Sequence, residues 1–125
     1  MTDRWSDSLD EAKILITTSH GKFLLRVIER ALDDVQADTP HLFPYLATYK
    51  DDEETVFLEW IGSNYRCNIA IDKNPEECFW ITTFAPELDI YQSGHGYIPK
   101  GREKELFERL FALLVRVRAG EEIVQ

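Results

Sequence analysis

A carboxylate, a guanidinium and an imidazole are the groups in this sequence with the clearest chemical potential. Glu59 and Arg66 lie in neighbouring segments of alternating polarity, and His95 lies in Ser93-Gly94-His95-Gly96. A carboxylate–guanidinium unit on rigid strands can hold a polar ligand, and glycines beside a histidine would let that ligand approach the backbone. Each feature also has a plainer reading. Glu59 with Arg66 makes a cross-strand ion pair on the less apolar face of a sheet, worth about 0.2–1 kcal/mol. His95 between glycines makes a flexible turn leading toward a final helix. With no second carboxylate joining the pair, the plainer readings are preferred. Glu59, Arg66 and His95 stand as the alternative, a small-ligand or enzyme site.

The other reactive residues assemble no further site. His20, His41 and His95 occupy three separate loop-like contexts without metal-ligand spacing. Ser93 and His95 do not form a nucleophile elbow, and Gly94-His95-Gly96 completes no phosphate or dinucleotide loop. Asp51-Asp52-Glu53-Glu54 lacks the spacing of a calcium loop and reads as a solvated turn, with a docking tip for a basic partner or a fragment of nucleic-acid mimicry as the functional options. Cys67 and Cys78 read as buried, reduced, unpaired thiols, which favours the cytoplasm. We therefore assign no catalytic residue, cofactor or metal from sequence.

Positioning these groups falls to one α+β domain spanning residues 1–125. A chain of 125 residues with 44% hydrophobic and 30% charged residues can build its own core without a disulfide or metal. No apolar stretch approaches the roughly 20 residues needed to span a bilayer, and the polar, acidic start Met1-Thr2-Asp3 is not a secretory signal. The net charge of -9, with basic residues scattered, argues against nucleic acid and anionic membrane.

The order of elements is helical, then strand-rich, then helical, which argues α+β with an antiparallel meander. Ser8-Leu9-Asp10-Glu11 matches a capping box opening the first helix. Thr17-Thr18-Ser19-His20-Gly21 predicts a break, and Leu24, Val27, Ile28, Ala31, Leu32 and Val35 give a stripe of period 3.6. The period then becomes 2, with strands predicted at Phe43–Tyr49, Thr55–Ile61, Tyr65–Ile71, Cys78–Phe84 and Leu88–Gln92, four to five in all. The last helix is expected to begin near Pro99–Gly101 and to end near Arg118, with Gly120 as terminator and Glu105 paired to Arg109.

Setting Trp60 opposite Tyr65 puts Leu58 opposite Cys67 and Glu59 opposite Arg66. Setting Ile71 opposite Cys78 puts Ile69 opposite Trp80 and Cys67 opposite Thr82. Val56, Leu58, Trp60, Cys67, Ile69, Ile71, Cys78, Trp80, Phe84, Leu88 and Ile90 then share one apolar face. The second face carries Phe57, Glu59, Arg66, Asn68, Ala70, Phe79, Ile81, Thr83, Asp89 and Tyr91, too apolar for full exposure to water. Either the N-terminal helical region covers it, which is slightly favoured, or another chain does. In the second case the interaction surface is Phe57, Glu59, Arg66, Phe79, Ile81 and Tyr91.

Leu58-Glu59-Trp60-Ile61 before a turn, with Tyr65-Arg66 opening the next strand, resembles a type of small bacterial helix–β-meander–helix protein of unknown function. The resemblance covers the strand region and last helix, and it implies the fold without an activity. The expectation from sequence is a non-catalytic protein-interaction domain of acidic regulatory, immunity or adaptor type. Its partner would be another protein or a second copy of itself.

Overall fold

The computed structural model describes residues 6–36, 44–85 and 93–124. Among them are three helices, α1 (Ser6–Leu15), α2 (Ser19–Gln36) and α3 (Glu103–Val124). Five strands lie between α2 and α3: β1 (Tyr45–Lys50), β2 (Val56–Ile61), β3 (Tyr65–Ile71), β4 (Phe79–Phe84) and β5 (Gly94–Tyr97). Every strand pairs antiparallel with its neighbour in chain order, so the α+β class and the meander are as expected. The expected strand Leu88–Gln92 lies outside the described residues, and the fifth strand is Gly94–Tyr97.

The alternation of side chains sorts the two faces as expected. Val56, Leu58, Trp60, Cys67, Ile69, Ile71 and Cys78 are all buried on one side, and Ile69 pairs with Trp80 and Cys67 with Thr82. Between β2 and β3 the register differs by two residues. Trp60 pairs with Cys67, Leu58 with Ile69 and Val56 with Ile71. The turn decides this. The Gly62 N–H donates to the Tyr65 carbonyl at 2.9 Å, leaving only Ser63 and Asn64 in the loop. The Tyr65 ring then lies over Gly62, where a Cβ would collide with the ring carbons.

All three helices pack on the Trp60 face. Helix α1 starts at Ser6, two residues before the capping box read from sequence, so Ser8 lies within it. The Ser8 hydroxyl donates to the Leu46 carbonyl at 2.7 Å, and the Thr48 hydroxyl donates to the Ser8 carbonyl at 2.9 Å. These two bonds tie α1 to the edge strand β1. The break before α2 falls where the Thr-rich segment predicted it. Thr18 caps α2, its Oγ1 accepting from the Gly21 N–H at 3.0 Å. Gly21 is held close: a Cβ there would stand 2.5 Å from Ile16 Cγ2 and 3.2 Å from Ile71 Cγ2.

The apolar stripe of α2 is buried through Leu24, Ile28, Ala31 and Leu32. Helix α2 packs along α3, with the Lys104 ammonium 3.0 Å from Asp34. Helix α3 enters the core through Phe107, Phe111 and Leu114, and its Phe111 ring centre lies 5.0 Å from that of Trp60. It continues past Arg118 and through Gly120 to Val124, beyond the expected end. One glycine costs a helix only about 1 kcal/mol, too little to stop a helix whose earlier turns are packed. Glu105 accepts two bonds from Arg102, at 3.1 Å each, and the expected partner Arg109 acts on it through its charge.

Candidate functional site on the helix-free face

The register places the other side of the sheet in three rows. Tyr45, Ile61, Arg66 and Thr83 form the first, and Ala47, Glu59, Asn68, Ile81 and His95 the second. The third is Tyr49, Phe57, Ala70, Phe79 and Tyr97. In this third row Tyr49 stacks on Phe57 with ring centres 5.1 Å apart, and Phe57 meets Phe79 edge-on at 6.4 Å. The two phenylalanines close over Ala70, which is fully buried although no described helix reaches this side.

The expectation that the N-terminal helices cover this face is corrected here. The stripes of α1 and α2 join α3 on the face carrying Leu58, Trp60 and Ile69, the more apolar of the two. Tyr45 stays 64% exposed, Tyr49 43%, Ile81 40% and Tyr97 72%. Phe57, Glu59, Arg66, Phe79 and Ile81 share the helix-free face, while Tyr91 and Asp89 lie outside the described residues. Tyr45, Tyr49 and Tyr97 escaped the sequence reading. The alternation within Phe43–Tyr49 carried the signal for the first two, had the register been extended to that strand. Tyr97 was hidden because its strand was taken for a turn.

Glu59 and Arg66 are adjacent without being opposite each other. Asn68 is the direct partner of Glu59 and donates from Nδ2 to Oε2 at 2.8 Å. Arg66 stands opposite Ile61, and its Nη1 reaches Glu59 Oε1 diagonally at 4.0 Å. With the Arg66 side chain 64% exposed, the pair contributes at most about 1 kcal/mol. His95 sits opposite Ile81 on β5, three strands from Glu59. At about 4.8 Å per strand that is a separation of roughly 14 Å. The structure therefore brings two of the three alternative-site residues together and leaves His95 apart, exposed to solvent.

The glycines beside His95 have a packing role in place of the flexible turn expected. They face the helix side of β5, and the Trp80 indole lies across both. A Cβ on Gly94 would meet Trp80 Cη2 at 3.2 Å, and one on Gly96 would meet Nε1 at 3.2 Å. An aromatic ring on the neighbouring strand thus covers the backbone that the glycines leave bare.

Two carboxylates of the acidic turns are occupied by the backbone. Asp51 Oδ1 accepts from the N–H groups of Glu53 and Thr55 at 3.0 and 2.9 Å. Asp72 accepts from the Asn74 N–H and the Thr55 hydroxyl at 2.8 Å each. Glu54, the one described non-glycine residue with positive φ at 66°, is 3.8 Å from Lys73. Asp52, Glu53, Glu76 and Glu77 are exposed and make no ion pair with a described residue.

Cys67 and Cys78 are buried and unpaired. Burial pushes the Cys67 thiol up to about 12, so it stays protonated and unreactive near neutrality. Burial also raises Cys78, partly offset by a backbone hydrogen bond from Asp72. Among the described residues no group of three or more His, Cys, Asp or Glu side chains is arranged to hold a metal, and no helix is long and apolar enough to cross a membrane. Comparison of the chain with models of known protein families, with curated proteins and with solved structures found no match in any of the three.

Proposed function

We propose that this chain is a non-catalytic interaction domain that presents the helix-free face of its sheet to a protein partner. The observation that carries the reading is the exposure of Tyr45, Tyr49, Ile81 and Tyr97 on a face that no described helix reaches. With half-buried Phe57 and Phe79 beside them, they make this face more apolar than a sheet face left to water ordinarily is. Glu59, Arg66 and Asn68 add polar contacts in the middle of that surface. The wide separation of His95 from Glu59 weighs against a shared ligand or catalytic site. A charge of -9 on each copy sets one chain against another, so a different protein is the fitting occupant. Unpaired Cys67 and Cys78 suit a reducing compartment, and a cytoplasmic regulatory, immunity or adaptor role accords with all of this.

Photo-crosslinking tests the reading. A benzoylphenylalanine is placed at Ile81 in one variant and at Ile14 in another, Ile14 being 80% exposed on α1 and away from this face. Irradiation in an extract of the native cell is expected to give a discrete adduct from position 81 and none from position 14. Equal labelling at both positions, or none at 81, would contradict it.

A further inference from the structure

Among the described residues, charge is segregated along the strands. The β1–β2 and β3–β4 turns lie at the same end of the meander. The first carries Asp51, Asp52, Glu53 and Glu54, and the second carries Asp72, Glu76 and Glu77. Lys50 and Lys73 are the basic residues among them, and Lys73 is engaged by Glu54. At the opposite end the β2–β3 turn is the uncharged Gly62-Ser63-Asn64, close to Arg118, with Arg66 opening the next strand.

The Tyr49–Phe57–Ala70–Phe79–Tyr97 row is the last outward row before the acidic turns. It crosses five strands, about 19 Å, the span of roughly six extended residues. Aromatic faces attract guanidinium and ammonium groups, and nearby carboxylates strengthen that preference. The row also opens at Tyr97 onto a cavity of about 750 Å³ walled by Pro75, Glu76, Ile98 and Glu103. Lys100 and His20 line the cavity too, so the preference for a cation comes from the row and its acidic border.

We infer that the docking segment is basic: an extended stretch of a partner protein carrying arginines or lysines, laid along the Tyr49–Tyr97 row with its cations toward Asp52, Glu53, Glu76 and Glu77. This rests on the interaction reading above and adds the chemistry of the partner. Among the described residues the helix side exposes a single large aromatic side chain, Phe23 of α2, and no row of them.

The probe is a labelled ten-residue peptide alternating arginine and serine, titrated against the full chain near physiological salt. Binding is expected to weaken at least tenfold in the double variant Tyr49→Ala, Tyr97→Ala, which leaves the charge unchanged. Tyr97→Phe, which keeps the ring, is expected to bind like the parent. Asp52→Asn with Glu76→Gln should weaken binding at least fivefold, and Glu11→Gln with Asp33→Asn, the same charge change away from the row, by less than twofold. Circular dichroism melts confirm that each variant is folded. Undiminished binding by the tyrosine variant, or equal losses from the two acidic pairs, would reduce the effect to general attraction toward an acidic protein and overturn the inference. An unbound peptide alongside a specific adduct at position 81 would overturn the basic chemistry and leave the interaction reading standing. Failure of both would end both.

Discussion

Trp60→Ala is expected to lower stability by about 3–5 kcal/mol, a large share of what a domain of this size possesses. Trp60 is fully buried, stands between Leu46 and Cys67 in the sheet, and stacks obliquely against Phe111 of α3. Its removal would open a cavity where the sheet meets α3, and these rigid neighbours cannot close it. Trp60→Phe should cost much less. The indole Nε1 is buried without a hydrogen-bond partner, so losing that N–H leaves no acceptor stranded. Urea unfolding of the three proteins checks this ordering. An alanine variant with a midpoint near that of the parent would mean that Trp60 does not join the sheet to α3.

Gly21→Ala sets two opposing effects against each other, and the structure says which wins. In an ordinary helix the change would stabilise by about 1 kcal/mol, because glycine is a poor helix former. Here the new methyl would lie 2.5 Å from Ile16 Cγ2 and 2.8 Å from Thr18 Oγ1. Thr18 is fixed by capping α2, and Ile16 is a core residue, so neither can withdraw freely. Overpacking of this kind costs about 1–3 kcal/mol, and a net loss of up to about 2 kcal/mol follows. A bulkier change, Gly21→Val, adds a β-branched side chain and should unfold a substantial fraction of the protein. A Gly21→Ala protein more stable than the parent by denaturant midpoint would show that α1 and α2 are not packed this closely.

Much of this architecture was legible in the residues because two periods coexist in one chain. Val56-Leu58-Trp60 and Cys67-Ile69-Ile71 announce a strand face, and Leu24-Ile28-Ala31 announces a helix stripe, with no knowledge of what lies opposite. The β2–β3 register was misread because alternation is blind to a shift of two residues: parity is preserved and every side chain stays on its side. The two-residue turn closed between the Gly62 N–H and the Tyr65 carbonyl separates the two registers. Ser8 was misread for a related reason. Its spacing to Glu11 satisfies a local rule, while its hydroxyl is taken by Leu46, 38 residues away.

The candidate surface was legible in part. Phe57, Phe79 and Ile81 follow from the same alternation as the core. That Ile81 stays exposed and the two phenylalanines only half-buried depends on where the three helices settle, which is a competition between two faces and is not encoded in any one segment. Gly94-His95-Gly96 shows the same difficulty. Glycines that look like slack in a loop are the flat bed for Trp80, a residue on another strand.

Ile81→Asp, followed by denaturant unfolding, is the most direct test of the open face. Ile81 is 40% exposed, and its cross-strand neighbours Asn68 and His95 are not acidic, so a carboxylate there can stay hydrated and meets no like charge. An open face predicts a folded protein that loses no more than about 1–2 kcal/mol, from lower strand propensity and lost apolar contact. It also predicts that the adduct formed from this face disappears when Ile81→Asp is combined with a photoprobe at Tyr97. Unfolding on the scale of Trp60→Ala would mean that Ile81 is covered within its own chain, and would contradict the open face.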